Sequence, residues 1–179
     1  MERLQEQYKT KVVPSLMKKF SFKNVMQVPK ITKVVVNAGV GKIKEDKKKV
    51  DEAAADLAKI CGQAVVKAKA RKSISGFKVR ENQVVGLVCT LRGHRMYSFL
   101  DKLINVALPR VRDFQGISGD SFDGRGNYHL GLKEHLVFPE ISASGLENVF
   151  GLEVSVVTNA KKDEYAKELL TQLGFPFKK

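Results

Sequence analysis

ITKVVVNAGVG, Ile31 to Gly41, is the stretch whose reading decides the fold. Successive side chains of a strand point to opposite faces, so Thr32, Val34, Val36 and Ala38 share one face and Lys33, Val35 and Asn37 the other. The β-branched residues favour a strand from Ile31 to Ala38, ended by the turn Gly39-Val40-Gly41. An antiparallel sheet with helices on one side leaves its other face to solvent or to a partner, and here that face carries polar groups.

Upstream, Leu4, Tyr8, Val12 and Leu16, joined by Val13, Met17 and Phe20, predict an amphipathic first helix. Pro14 is expected to kink it, because an interior proline removes a backbone hydrogen bond. Downstream, a second helix starts near Asp46, buries a stripe of Val50, Ala54, Leu57 and Cys61, and stops at Gly62. A strand Ala64 to Val66, a basic loop and a strand Val84 to Leu91 form a long hairpin, in which Thr90 faces away from Val85, Leu87, Cys89 and Leu91. A third helix from His94 or Arg95 to Leu108 turns Met96, Phe99, Leu100, Leu103, Ile104 and Ala107 inward, and Pro109 ends it. Loop follows to Gly126; NYHLGL and LEVSVVT read as strands, and Asp163 to Leu173 as a last helix capped by Gly174. Irregularly spaced helices and strands give an α+β fold: about five mostly antiparallel strands, helices packed on one face, and a long basic hairpin loop at about 70–83. Residues 1–179 are expected to form a single domain.

The bulk composition is that of a globular chain, 43% hydrophobic and 28% charged, with no run near the roughly 18 apolar residues of a membrane span. The start, MERLQEQYKTK, lacks the apolar core of a signal peptide, so a cytoplasmic location is expected. Cys61 and Cys89 lack a CxxC or a nearby His and read as buried thiols in a reducing compartment.

Chemistry-bearing motifs fail one by one. NAGVGK lacks both the upstream glycine and the Ser or Thr of a phosphate loop. SFDGRGNY, with Asp123, Arg125 and His129, has no second carboxylate at a defined spacing and no nucleophile elbow. His94, His129 and His135 have no metal-ligand spacing, so no metal and no cofactor are expected. The chain does not read as an enzyme.

Charge is the stronger signal: 32 basic against 19 acidic residues give +13, which favours a polyanion, nucleic acid first and an anionic membrane surface second. The cations are grouped. Lys42, Lys44, Lys47, Lys48 and Lys49 open the second helix; Lys67, Lys69, Arg71 and Lys72 enter the hairpin loop and Lys78 and Arg80 leave it; Arg110 and Arg112 follow the third helix. Any one cluster reads first as a solvated face, but several in loops beside the small polar residues Asn37, Thr90 and Gln63 shift the balance toward RNA or DNA backbone. For the strand face itself, spacing alone gives a narrow preference to the plainer reading as a solvated surface.

Seven segments in order carry a resemblance: MQVPK at 26 to 30, VVNAGVG at 35 to 41, ARKSISGFKVR at 70 to 80, TLRGHRM at 90 to 96, LPRVRDFQGIS at 108 to 118, SFDGRGNY at 121 to 128 and FPEI at 138 to 141. Together they resemble the family of bacterial large-subunit ribosomal protein five, which binds 5S rRNA, over nearly the whole chain. The resemblance implies a structural, monomeric constituent of the large subunit that contacts large-subunit rRNA and helps attach 5S rRNA in the central protuberance, with no membrane and no small-molecule substrate. It assigns 5S rRNA binding to Asn37, Gln63 and Thr90. It assigns contact with peptidyl-site tRNA to the loop residues Arg71, Lys72, Ser73, Ser75, Gly76, Phe77, Lys78 and Arg80, where Gly76 allows a turn and Phe77 either stacks on RNA or anchors the loop. It places Arg110, Arg112 and Asp113 in a bridge to a small-subunit head protein. The chain departs from the family pattern at Ala38, His94, His135 and the segment Ser142 to Phe150, where Phe150 replaces a common arginine.

Overall fold

Strand β1 covers Ile31–Gly39 and its burial follows the period of two: Val34, Val36 and Ala38 are fully buried while Lys33, Val35 and Asn37 are half-buried. A computed structural model describes residues 3–141 and 149–178. The remaining strands are β2 (Val66–Lys69), β3 (Val84–Leu91), β4 (Tyr128–Leu132) and β5 (Leu152–Thr158), in one antiparallel sheet of order β2-β3-β1-β5-β4. With its helices this is the expected α+β class. The chain divides into two compact units, Met1–Val34 with Leu91–Leu130 and Ser155–Lys179, and Val35–Thr90 with Gly131–Val154; β1, β3, β4 and β5 each have residues in both.

In the first unit, helices α1 (Arg3–Gln7) and α2 (Val13–Phe20) bury Leu4 and Leu16, α4 (Gly93–Lys102) buries Met96, Phe99 and Leu100, and α5 (Asp163–Gln172) buries Ala166, Leu169 and Leu170. At Pro14, where a kink is expected, the α-helical hydrogen bonding is interrupted just before the proline. Between α1 and α2 lies a wide turn, Tyr8–Val12, in which the Val13 N–H reaches the Tyr8 carbonyl five residues back, and Pro14 follows in the first turn of α2. The same device recurs after α4: the wide turn Leu103–Ala107 ends with Leu108 N–H on the Leu103 carbonyl, and Pro109 comes next. A proline ring collides with the carbonyl four residues before it, and a five-residue hydrogen bond displaces that carbonyl without ending the helical path.

In the second unit, α3 covers Lys47–Cys61; the Asp46 carboxylate accepts from the N–H groups of Lys48 and Lys49 at its start, and Gly62, at φ +63°, closes its end. Its buried face is Val50, Ala53, Leu57, Ile60 and Cys61, so Ala53 takes the place expected for Ala54. Strand β2 begins two residues later than expected and includes Lys67 and Lys69, which makes them edge-strand residues instead of loop residues. Their alternation explains it: Val66 and Ala68 pair with Val88 and Gly86, while Lys67 pairs with Leu87 on the opposite face and reaches Asp51 of α3 at 2.5 Å. The register slips between Ala68 and Lys69, leaving Val85 as an extra residue that bends the hairpin before its loop. Both cysteines are buried thiols.

Candidate nucleic-acid interface

Gln63, immediately after the Gly62 cap, is swung back toward the sheet, and its side-chain amide donates to the Thr90 carbonyl at 3.1 Å. Thr90 itself is exposed. Asn37 lies nearer the hairpin loop on the same face: its Oδ1 is 3.8 Å from where a Cβ on Gly86 would stand. Gly86 and Thr90 are four residues apart on β3, about 13 Å along the strand. Ala68, paired with Gly86, places its Cβ 3.8 Å from that same point. Ala68, Gly86 and Asn37 therefore make a low floor without a large side chain, and the amide of Gln63 and hydroxyl of Thr90 stand farther along it. Between that floor and Thr90 stands the pair Val66–Val88, with Val66 69% exposed, so the face offers hydrogen-bonding groups at fixed positions and a low floor where a sugar-phosphate backbone can approach beside Asn37.

Beyond β2 and β3 the hydrogen-bond ladder continues into the basic loop. Ala70 N–H donates to the Gln83 carbonyl at 2.8 Å and Asn82 N–H to the Ala70 carbonyl at 3.0 Å; farther out, Ile74 and Val79 exchange bonds of 2.9 and 3.1 Å. Glu81 N–H donates to Ser73 Oγ at 2.9 Å. Ser75–Phe77 form the tip turn, and the left-handed residue that reverses the chain is Lys78, at φ +49°, not Gly76. Phe77 is 73% exposed, so its side chain is not buried against the loop. Its carbonyl anchors the loop, accepting from Lys44 Nζ at 2.5 Å. Arg71, Lys72, Ser73, Ser75, Gly76, Lys78 and Arg80 are exposed as well. Lys44 stood out in the sequence only as one of a charge run; its role as a clamp is a three-dimensional fact with no periodic signal.

Arg110 closes the short turn Leu108–Arg110 of the first unit, and Arg112 and Asp113 follow it, all exposed, with Asp113 in the left-handed region at φ +51°. The SFDGRGNY loop is committed to structure. Asp123 accepts from Arg125 N–H at 2.8 Å, Asn127 N–H at 3.0 Å and Asn127 Nδ2 at 2.6 Å. Desolvation pushes its carboxyl up, but the bonds from Asn127 and Arg125 outweigh this and hold it below its ordinary value. Asp163 accepts from the N–H groups of Gly124 and Gly126 at 3.1 and 2.7 Å, pinning the loop from α5. A carboxylate so engaged and so acidic is unsuited to general acid–base work at neutral pH. Among the described residues no group of three or more His, Cys, Asp and Glu could hold a metal ion.

Of the departures from the family pattern, two meet in space. His135 is 1% exposed and stacks on Phe150, with centroids 4.0 Å apart and planes 8° from parallel, while Phe150 N–H points at His135 Nδ1 over 3.4 Å. Residues 142–148, which hold the rest of the divergent segment, lie outside the described residues.

Comparison with known proteins gives the context. Residues 24–80 match the family model for ribosomal protein L5, and residues 84–177 match the model for the C-terminus of the same ribosomal family. The chain is 57% identical over 177 residues to the large ribosomal subunit protein uL5 of Brevibacillus brevis, covering 99% of this chain and 98% of that one. It is 54% identical over 179 residues to uL5 of Thermoanaerobacter sp., covering 100% of both, and 55% identical over 177 residues to uL5 of Clostridium botulinum, covering 99% and 98%. With matches of this identity end to end, the chain belongs to the ribosomal protein L5 family, as a non-enzymatic, rRNA-binding structural constituent of the large subunit of the cytoplasmic ribosome.

Proposed function

We propose that residues 1–179 act as one RNA-binding domain whose open sheet face holds 5S rRNA through Asn37, Gln63 and Thr90. The observation that carries this reading is the Gln63–Thr90 hydrogen bond on the same face as the small-residue floor at Asn37, Ala68 and Gly86, which presents polar groups beside a low surface. The 70–83 loop, with its exposed Phe77 ring and cations at Arg71, Lys72, Lys78 and Arg80, reaches peptidyl-site tRNA. Arg110, Arg112 and Asp113 form a separate charged turn that contacts a protein of the small-subunit head. Filter binding to 5S rRNA tests the first assignment. With roughly six phosphates neutralised, log K should fall with log salt at a slope of about −0.7 to −0.9 per phosphate. The triple variant Asn37→Ala, Gln63→Ala, Thr90→Ala should lose most affinity while remaining folded, and unchanged affinity would remove the sheet-face assignment. Shortening Ser73 to Lys78 should spare 5S rRNA and weaken tRNA contact.

A further inference from the structure

The basic loop has two sides. Between its inner side, β2 and the approach to α3 lies a hollow of about 1120 Å³, lined by Ser73, Ser75, Lys78 and Arg80 of the loop but not by Arg71, Lys72, Gly76 or Phe77. Five cationic side chains converge there, Lys44, Lys47, Lys67, Lys78 and Arg80, against two carboxylates, Glu45 and Asp51. Asp51 is already paired with Lys67 at 2.5 Å. Among the described residues Lys47, Lys78 and Arg80 have no carboxylate partner. The mouth is held open by structure: Lys44 Nζ grips the Phe77 carbonyl, and Gln83 joins Arg80 N–H through its Oε1 at 3.1 Å and the Lys44 carbonyl through its Nε2 at 3.5 Å.

We propose that this hollow is a second RNA-backbone site, taking the phosphates of a bulged or single-stranded segment of large-subunit rRNA on the side of the loop away from its tip. A volume above the ~300–1000 Å³ of sites that enclose a small molecule suits a strand passing through better than a lone ion. Lys47, Lys78 and Arg80, which are held neither by a carboxylate like Lys67 nor by a carbonyl like Lys44, answer consecutive phosphates. The Ser73 hydroxyl, which accepts from Glu81 N–H and keeps its own proton to donate, and the Ser75 hydroxyl can meet phosphate oxygens or 2′-hydroxyl groups. The inference rests on the family's RNA binding but not on the 5S rRNA or tRNA assignments, and it divides the loop's eight predicted contact residues into an outer and an inner set.

The test is an NMR titration of the full chain with a uridine hexanucleotide as probe, repeated with a glutamate hexapeptide and with inorganic phosphate. The expected result is amide shifts at 46–49 and 73–83, produced by the RNA at concentrations where the peptide and phosphate produce none. Lys47→Ala removes one phosphate contact and Lys67→Ala frees Asp51 to repel the strand, so the double variant should weaken this binding about fivefold or more and flatten its salt slope by about 0.7. Lys47→Arg should retain it, and the far-ultraviolet spectrum should be unchanged. Affinity for 5S rRNA, measured above about 0.15 M salt, where charges more than ~8 Å apart are screened, should stay within twofold in the double variant. Equal binding of the peptide or of phosphate, shifts confined to Arg71, Lys72 and Phe77, or a double variant that binds the hexanucleotide normally would each overturn the site. Failure of the unmodified chain to bind 5S rRNA would instead count against the sheet-face reading.

Discussion

Gln63 and Thr90 act as one unit: the side-chain amide that follows α3 is hydrogen-bonded at 3.1 Å to the carbonyl of the penultimate residue of β3. An exposed bond of this kind adds at most about 1 kcal/mol to folding. Gln63→Ala should therefore shift the urea midpoint little. Because the proposed RNA contact needs the amide at that position, its affinity for 5S rRNA should fall about tenfold, the equivalent of one charge-assisted hydrogen bond. Filter binding beside a urea titration separates the two effects.

Gly86 gives a sharper probe of the same face. A Cβ there would meet the Ala38 carbonyl, Ala68 and Asn37 at 3.7 to 3.8 Å, ordinary contact, and the residue has no left-handed backbone. Gly86→Ala should be neutral or stabilising by up to about 1 kcal/mol, since alanine narrows the unfolded ensemble. Gly86→Leu should fold as well and yet lose 5S rRNA affinity, because its side chain would lie over the floor beside Asn37. Equal affinity for glycine, alanine and leucine at 86 would place the RNA elsewhere.

Lys44 is expected to govern the loop and not the fold. Its Nζ is the donor to the Phe77 carbonyl across 33 residues of sequence. Removing it with Lys44→Met should raise amide hydrogen exchange at Ser75 to Val79, the tip enclosed by the Ile74–Val79 bridge, while leaving exchange in β1 and β3 unchanged. An exchange map of the two proteins checks this directly.

The contrast between Lys44 and the core shows which features a sequence encodes locally. Strand β5, β3 from Leu87 onward and the inward stripe of α4 are written in periods of two and about 3.6, and burial follows them, except that the bulge leaves Val85 half-buried instead of inward and Tyr97 joins the stripe of α4. Asn37 and Thr90 could be placed on the open face by counting alone. That Gln63 joins Thr90 depends on the left-handed cap at Gly62, and the grip of Lys44 on Phe77 depends on a backbone carbonyl, which no side-chain pattern records. The prolines illustrate the opposite failure. Pro14 and Pro109 obey the rule against interior proline, but the rule does not foresee that a widened turn before each one lets the chain continue. Lys67 and Lys69 lie in β2 and not in the loop, because an edge strand tolerates lysine and uses it.

The SFDGRGNY loop separates two glycines of equal backbone conformation. Gly124 and Gly126 have φ +79° and +80°, so any other residue is strained at either, by about 1 kcal/mol. A Cβ on Gly124 would meet nothing within 4 Å, whereas one on Gly126 would lie 2.8 Å from both the Cβ and the carbonyl oxygen of Ala160. Gly124→Ala should cost about 1 kcal/mol and Gly126→Ala several times that, by urea denaturation. Similar losses at both would mean that the loop moves away from Ala160 at little cost.

His135 makes stability depend on pH in a definite direction. Burial lowers its pKa from the ordinary 6.5, more than the nearby Asp56 and Glu134 carboxylates and the Phe150 backbone raise it. The folded chain thus keeps the imidazole neutral, stacked on Phe150 and accepting at Nδ1, while the unfolded chain takes up a proton near pH 6.5. Because the unfolded state then binds more protons than the folded one, the contribution is fully present above about pH 6.5 and is lost as the pH falls below it, down to the folded pKa. One proton gives a slope of at most about 1.4 kcal/mol per pH unit. The comparison of His135→Gln with the unmodified chain isolates the histidine. Whatever offset the lost stacking produces at pH 7.5, the stability difference should move in favour of glutamine between about pH 6.5 and 5.5. Parallel urea midpoints for the two proteins over that interval would show that His135 is not held neutral.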